Sequence, residues 1–274
     1  MFIGALGNRV PLLQLARWQL TASFLMTAAA ATVLDGWATL GSWQVSALVA
    51  SGVAGIVIAS TTYFATILRV GPRLTALLFS LTSPFALALA YVSLGETIRW
   101  QQGLGIMLVL AGIATAIGIG AASPATSGKI TVSRLGIALG VITALGQALG
   151  SLFARPAMAS GVEPFAAMAI RLGVAVIVFW GLMVLPAIRR QSVPVARGDA
   201  GLIVASAFFG ATLGMVLLMG ALTKGNVGVV STLSSMTPIV ILPMVWLKTG
   251  AAPRASAWAG AAMACAGTAL ISLY

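Results

Sequence analysis

Residues 69–112 read RVGPRLTALLFSLTSPFALALAYVSLGETIRWQQGLGIMLVLAG. Two apolar runs, one over 74–94 and one beginning at residue 101, are separated by a short segment that holds Glu96 and Arg99. About 20 mostly apolar residues are needed for an α-helix to cross the hydrocarbon core of a bilayer. A continuous helix also satisfies its own backbone hydrogen bonds where water is absent. This stretch therefore predicts two successive membrane-spanning helices joined by a short connection.

The same pattern extends over the whole chain. Of the 274 residues, 60% are hydrophobic and 7% are charged, whereas a soluble domain carries about 25% charged residues. This composition excludes a cytosolic enzyme, a nucleic-acid-binding module, a disulfide-stabilised secreted domain and a disordered tail. It predicts an all-α polytopic membrane protein with nine helices in this chain, over residues 10–34, 44–68, 74–94, 101–122, 134–154, 164–188, 200–222, 227–247 and 255–273.

The basic residues predict the orientation of these helices. The chain has 15 Lys and Arg against four acids, and most of the basic residues lie in short connections. Ten fall on the side of the N-terminus and three on the opposite side. Because Lys and Arg in short loops mark the cytoplasmic side, we expect a cytoplasmic N-terminus and an external Tyr274. We expect a multi-pass protein of the cell (inner) membrane.

Scarce residues recur at a nearly constant spacing, which predicts an internal duplication. Pairs that lie 154 or 155 residues apart include Arg17/Arg171, Pro84/Pro238, Gly105/Gly260 and Gly112/Gly267. The helix over 134–154 precedes the Arg171 helix, and no counterpart precedes the Arg17 helix. The first helix of the first repeat is therefore expected to be missing from this chain. A repeat with an odd number of helices is followed by an upside-down copy, as in many secondary transporters.

Motifs inside the repeats resemble a known family. In the first half these are Ser83-Pro84, Leu94-Gly95-Glu96, Gly105 and Ala111-Gly112. The second half keeps Thr237-Pro238, Gly260 and Ala266-Gly267. At the place of Leu-Gly-Glu it has Thr249-Gly250-Ala251. The pattern resembles the EamA-type module of the drug/metabolite transporter superfamily. The resemblance implies two inverted five-helix repeats around a central cavity, both termini in the cytoplasm, and export of small metabolites such as amino acids. The domains are then 1–122 (first repeat, four helices visible), 123–133 (linker) and 134–274 (second repeat, five helices).

Two arginines are candidate substrate-binding residues. Arg17 and Arg171 each lie about two turns inside a predicted helix, where a charged side chain is costly and is a functional candidate by default. One interpretation is a fixed positive charge that faces a carboxylate or phosphate on the substrate. The other is that each long side chain extends to the interface and serves only the structure.

Further candidates are polar or aromatic. Pro84 and Pro238 are expected to interrupt helix hydrogen bonds near the midplane, beside hydroxyl groups of Thr82, Ser83, Ser234 and Thr237; packing alone explains them equally well. Gln147 and Ser151 are four residues apart, and therefore share one helix face that we expect to line a pocket. Tyr63, Phe64 and Phe208 occupy corresponding thirds of their helices and suit an organic solute, although core or lipid-facing roles are common for aromatic residues.

Other sequence features limit the chemistry. The chain has no His and a single cysteine, Cys265, so we expect no metal and no cofactor. Glycine pairs at GxxxG spacing (Gly136/Gly140, Gly146/Gly150 and Gly210/Gly214) predict close helix packing, and no nucleotide-binding motif is present to drive an ATP-dependent pump. All four acids are predicted in loops or at helix ends. We therefore expect facilitated diffusion or exchange in place of proton coupling through a buried carboxylate.

The sequence thus predicts a secondary transporter of a small organic metabolite, such as an amino acid, that works as an exporter by alternating access or exchange. Two other functions are left open: a truncated or non-transporting membrane subunit, and a lipid-modifying membrane enzyme, which lacks the necessary catalytic groups. The expected partners are the small-molecule substrate and the lipid bilayer, with no nucleic acid, and the protein is expected to be a monomer or a homodimer.

Overall fold

A computed structural model describes residues 11–94, 99–120, 133–184, 186, 193, 197–224, 246–247, 250 and 255–273. Nearly all of these residues are helical. Ten α-helices occur in the described part of the chain: α1 Leu12–Val33, α2 Ser42–Gly52, α3 Ala59–Phe79, α4 Thr82–Leu94, α5 Trp100–Gly120, α6 Arg134–Ala159, α7 Pro164–Gly181, α8 Arg197–Ser206, α9 Met215–Lys224 and α10 Ala255–Leu273.

Two π-helical segments interrupt long helices at equivalent places in the two repeats. The first, π1, covers Val53–Ile58 and joins α2 to α3; the second, π2, covers Ala207–Gly214 and joins α8 to α9. Their first residues, Val53 and Ala207, are 154 positions apart, which is the spacing of the sequence repeat. Short 3-10 turns at Gly36–Thr39 and Leu182–Val184 follow α1 and α7.

These helices agree with eight of the nine predicted runs. The remaining run, 227–247, lies outside the described residues except for 246–247, so the count of nine stays a prediction. The predicted end of the fifth run at residue 154 is wrong, because α6 continues through Pro156 to Ala159. Ala157 and Met158 on this last turn are fully buried, and their packing holds the helix beyond a proline that removes only one backbone donor.

Five helical stretches in the described residues are long and apolar enough to cross a membrane: Ser42–Gly71, Leu74–Ser93, Arg134–Ala159, Pro164–Val184 and Gly198–Ala221. The first stretch ends where Gly71 adopts a positive φ of 79°, a conformation that glycine adopts readily. α1 is not among the five, although it has 22 residues, because it carries many polar side chains. Several of these, including Gln14, Ser23 and Thr27, are buried inside the protein.

The chain forms two compact units, and each takes segments from both repeats. The first contains residues up to Val57 together with Phe153–Lys224. The second contains Ile58–Leu152 together with the chain from Gly225 onward. The predicted domain boundaries, 1–122 and 134–274, describe the two repeats and stay a prediction. The compact units are a different division of the chain, because each unit combines parts of both repeats.

In the second unit, α5 and α10 are repeat-equivalent helices that pack closely and antiparallel. A Cβ atom added at Gly105 would lie 2.5 Å from the carbonyl oxygen of Gly267, and one added at Gly112 would lie 2.6 Å from that of Gly260. Only glycine allows backbones to approach this closely. The predicted role of Gly136 and Gly140 is also confirmed, since a Cβ atom at either position would collide with side chains of α3.

In the first unit, α7 begins with a well-formed N-terminal cap and packs antiparallel on α1. The carboxylate of Glu163 accepts hydrogen bonds from the backbone N–H groups of Phe165 and Ala166, at 3.0 and 2.7 Å, and Pro164 occupies the first helical position. Both features favour helix initiation. The predicted close-packing role of Gly210 and Gly214 is wrong, because both lie in π2 and neither makes a close backbone contact.

Candidate functional site

In the second unit, a hydroxyl pair joins α3 to α6. The Oγ1 atoms of Thr143 and Thr62 lie 2.7 Å apart, and Thr143 is 2% exposed. Further along, the glycine at position 136 contacts Arg69 and Val70, so the residue numbers on the two helices run in opposite directions. The part of α3 before Gly71, where the helix is kinked, is therefore antiparallel to α6. Neither threonine was predicted as a site residue, although Thr143 is four positions before Gln147 and so lies on the same helix face.

Gln147 is the candidate whose environment best fits a binding role. It is 7% exposed, its side-chain amide makes no hydrogen bond among the described residues, and neither amide atom is among the fully buried polar atoms that lack a partner. Ser151 differs, since its hydroxyl donates to the backbone carbonyl of Gln147 at 3.1 Å. We call Thr143, Gln147 and Ser151 the polar face of α6.

Tyr63 and Phe64 lie near the start of α3 and are half-buried. The Tyr63 ring makes edge-to-face contacts with Phe64 and with Phe79, at centroid distances of 6.0 and 6.2 Å. Tyr63 follows Thr62 directly in α3, and both aromatic residues have ring partners in the protein.

The proline candidate Pro84 does not interrupt the middle of a helix. The predicted helix over 74–94 breaks at Ser80 and Leu81, which places Pro84 in the first turn of α4. The missing Pro84 N–H would have bonded the Ser80 carbonyl, which accepts instead from the Ser83 N–H at 3.4 Å. The Thr82 hydroxyl donates to the carbonyl of Phe79 at 2.7 Å. The break is therefore satisfied locally, because hydroxyl groups and short turns replace the lost helix bonds.

Ser83 and Pro84 are both buried, so they contribute to packing around this break. Their repeat counterparts are not visible, since the predicted residues Ser234, Thr237 and Pro238 lie outside the described part of the chain. The expectation of a matched pair of breaks in the two repeats therefore stays a prediction.

In the first unit, Arg171 is fully buried in α7. One guanidinium nitrogen, Nη1, contacts the sulfur atoms of Met168 and Met219 at 3.5 and 3.3 Å. The other two nitrogens, Nε and Nη2, are buried without a hydrogen-bond partner among the described residues. Thioether sulfur is a weak acceptor, so this part of the chain compensates the charge of Arg171 only weakly.

Arg17 has a different environment, although it occupies the equivalent position in the first repeat. Its guanidinium carbon lies 4.7 Å from the centroid of the Trp180 ring, in a cation–π contact. Trp180 is held by its indole N–H, which donates to the Thr21 hydroxyl at 3.0 Å, and by an edge-to-face contact with Trp18 at 5.5 Å. Trp18 and Trp180 are both 39% exposed, so this cluster reaches the surface, where tryptophan is favoured at membrane interfaces.

α1 also supplies hydrogen-bond donors to the beginning of π2. The Gln19 side chain donates to the carbonyl of Ser206 at 3.3 Å, and the Ser23 hydroxyl donates to that of Ala207 at 3.2 Å. A π-helical turn disturbs the regular hydrogen-bond pattern of an α-helix, and α1 supplies donors at this point. Gln19 and Ser23 of α1 are thereby explained by contacts inside the first unit.

Phe208 lies within π2 and is 45% exposed, beside Phe209 at 60%. The repeat spacing relates Phe208 to Ala54 in π1, so the predicted correspondence with Tyr63 and Phe64 is wrong. The rings of Phe208 and Phe209 contact each other edge to face, with centroids 5.2 Å apart. Their exposure agrees with the lipid-facing alternative.

The acids of the described chain are engaged or lie at helix ends. Asp35 follows α1 with a positive φ of 52°, Glu163 caps α7, and Asp199 lies in the first turn of α8. Within the described residues, no cluster of three or more His, Cys, Asp or Glu side chains is placed to hold a metal ion.

A comparison with protein families adds the decisive observation. The sequence profile of the EamA-like transporter family matches residues 1–118 and 134–273. The chain belongs to the EamA-like transporter family. The two matched ranges reproduce the duplication that was read from the arginine, proline and glycine pairs. Together with the helical spans, membership identifies a multi-pass membrane protein of the drug/metabolite transporter type.

The fold of this EamA-family protein also occurs among solved structures. One crystal structure of a protein matches with a TM-score of 0.75 over 99% of this chain and 90% of its own length, at 18% sequence identity. At this identity the likeness concerns the fold alone. Among the curated proteins, none matches the chain.

Proposed function

We propose that this EamA-family protein is a secondary transporter that moves a small organic metabolite, an amino acid or a similar solute, out of the cell by alternating access or exchange. The observation that carries the proposal is Gln147. A nearly buried amide without a described partner lies on a membrane-spanning helix of a transporter-family protein. The amide atoms are not fully buried, so they remain accessible to a polar solute, which would supply the hydrogen bond that the described residues do not.

The surroundings of Gln147 support a role in binding. The Thr62–Thr143 contact joins α3 to α6 one helical turn from Gln147. Few, well-placed polar groups in mostly apolar surroundings are typical of small-molecule sites. Tyr63 and Ser151 complete the proposed site.

The acids support exchange over proton coupling. A proton-coupled carrier usually relies on an ionisable group inside the membrane. Among the described acids, Glu163 uses both carboxylate oxygens as a helix cap, and Asp35 and Asp199 lie at helix ends. We therefore propose that transport follows the solute gradient or exchanges one solute for another.

Solute counterflow in proteoliposomes tests this function. Vesicles containing the full chain are preloaded with a pool of amino acids, and uptake of a labelled member is followed. The variant Gln147→Leu is compared with Gln102→Leu, in which the same chemical change removes an amide that accepts from the Arg99 N–H at the start of α5.

We expect the wild type and Gln102→Leu to exchange solute at similar rates. Gln147→Leu should slow exchange about tenfold or more, which is the effect of losing roughly 1.4 kcal/mol of binding. Unchanged exchange by a correctly folded Gln147→Leu protein would refute the proposed site. Absence of exchange by the folded wild type, with every solute in the pool, would refute the function.

A further inference from the structure

We infer that Arg171, within the first unit, is a binding residue for the carboxylate group of a transported solute. This inference rests on the proposed function and names the substrate class. It starts from an imbalance of charge in the first unit: Arg171 is 0% exposed, and it forms no ion pair among the described residues.

The position of Arg171 makes this imbalance costly. α7 begins at Pro164, and a rise of about 1.5 Å per residue places Arg171 roughly 10 Å along the helix. That depth lies inside the apolar stretch Pro164–Val184. An unpaired charge there is unfavourable by several kcal/mol or more. Glu163, the nearest acid on the same helix, is already bound to two backbone N–H groups.

The two unpaired nitrogens define the shape of the missing partner. Nε–H and one terminal amino group point from the same edge of a guanidinium, and this edge donates two parallel hydrogen bonds to the two oxygens of a carboxylate. In Arg171 the nitrogens that are buried without a partner among the described residues are Nε and Nη2, whereas Nη1 is held by the sulfurs of Met168 and Met219. The two unpartnered donors are therefore the pair that a planar carboxylate accepts from.

The backbone around Arg171 is tightly packed. A Cβ atom added at Gly52 would lie 2.9 Å from the Arg171 carbonyl oxygen and 3.0 Å from its Cα atom. The α2–α7 crossing therefore holds the base of the side chain in one place. A positioned, desolvated guanidinium binds an anion more strongly than a mobile one at the surface.

Arg17 shows that the equivalent position does not by itself create such a site. Arg17 is 6% exposed, and its Nε atom is also buried without a partner among the described residues. Its guanidinium, however, lies 4.7 Å from the centroid of the Trp180 ring, and this cation–π contact compensates part of its charge. The two repeats thus carry the same residue in two environments, and only the Arg17 guanidinium has an aromatic partner in the described part of the chain.

Ligand-induced stabilisation tests the inference without relying on transport. The melting temperature of the purified full chain in detergent is measured with each of the proteinogenic L-amino acids and, in parallel, with its C-terminal amide. Inorganic phosphate is a separate arm. A fourth arm compares nanodiscs of phosphatidylglycerol with nanodiscs of phosphatidylcholine, which detects a lipid phosphate at the same residue.

We expect at least one amino acid to raise the melting temperature while its amide has little or no effect. Arg171→Lys keeps the charge but loses the paired donors, and should weaken the apparent affinity at least tenfold. Arg134→Lys, at the exposed start of α6, is the matched control and should bind as the wild type does. Equal stabilisation by acids and amides, by phosphate alone, or by the anionic lipid alone would overturn the inference.

The test also separates this inference from the proposed function. A carboxylate-dependent shift that Arg171→Lys removes supports the inference even when counterflow shows no transport. Counterflow of a solute whose amide competes equally well supports the proposed function and overturns the inference. Because the comparison of acid with amide uses the wild type, it holds even where an Arg171 variant does not fold.

Discussion

Gly105 of α5 faces Gly267 of α10, while their repeat equivalents, Gly260 and Gly112, face each other in the same helix pair. The second contact is therefore formed by the repeat equivalents of the two glycines that form the first contact. This crosswise arrangement is the property of a self-complementary interface with two-fold symmetry. The two helices are antiparallel, as expected for repeats of opposite orientation in the membrane.

The α5–α10 contact predicts a sharp dependence on the size of residue 105. Gly105→Ala would place a methyl group 2.5 Å from the carbonyl oxygen of Gly267, and should cost about 1–3 kcal/mol by overpacking. Gly103→Ala on the same helix meets nothing within 4 Å and is the control. Thermal unfolding in detergent should show a clear loss for Gly105→Ala alone; equal melting temperatures of the two variants would contradict the close contact.

The α2–α7 crossing predicts a similar effect at Gly52. Gly52→Ala forces the new methyl group against the backbone of Arg171, so α2 must move away from α7. We expect a loss of stability of about 1–3 kcal/mol together with weaker carboxylate binding. Gly181→Ala at the end of α7 meets nothing within 4 Å and should leave both properties intact. Wild-type behaviour of Gly52→Ala would show that the crossing is looser than described.

The hydroxyl contact between α3 and α6 predicts a measurable coupling. Thr62→Val and Thr143→Val each remove one member of the 2.7 Å contact, and the double variant removes both. A double-mutant cycle of unfolding free energies should give a coupling of about 0.5–1.5 kcal/mol, the usual net contribution of one hydrogen bond. If the two single changes in unfolding free energy add up exactly to the change in the double variant, the contact is contradicted.

The Arg17 cluster predicts a graded response at Trp180. Trp180→Phe keeps an aromatic face for the Arg17 guanidinium but loses the hydrogen bond to Thr21, whereas Trp180→Leu loses both. Stability should fall in that order, with about 0.5–1 kcal/mol separating the two variants for an exposed cation–π contact. Trp43→Leu, at a half-exposed tryptophan, controls for the general loss of an interfacial aromatic residue. Identical effects of the Phe and Leu changes would argue against the cation–π contact.

Much of this architecture follows from the sequence for a physical reason. Spans of apolar residues are long, and proline and arginine are rare enough in them to reveal the repeat. The helices can therefore be predicted, and the spacing of the repeat then relates Gly105 to Gly260. GxxxG spacing also predicted close helix packing at Gly136, although not that the partner is α3. The capping role of Glu163 agrees with its predicted place at a helix end.

Other features depend on tertiary contacts that spacing does not reveal. The π-helical segments have no distinctive composition, and Thr62 is identified as a site residue only by its contact with Thr143. Arg17 and Arg171 look equivalent in the sequence, yet one meets Trp180 and the other two methionines. The break at Ser80 also shifts Pro84 from the middle of a helix to the first turn of the next one.

The most direct test of the account is counterflow by the wild-type chain in proteoliposomes, with ionophores present to abolish any proton or ion gradient. The account predicts that vesicles preloaded with unlabelled amino acids transiently accumulate the labelled form of the transported one, and that its C-terminal amide does not compete. Folded protein that accumulates no labelled solute under these conditions, or that does so only when a proton gradient is imposed, would contradict exchange by this EamA-family protein.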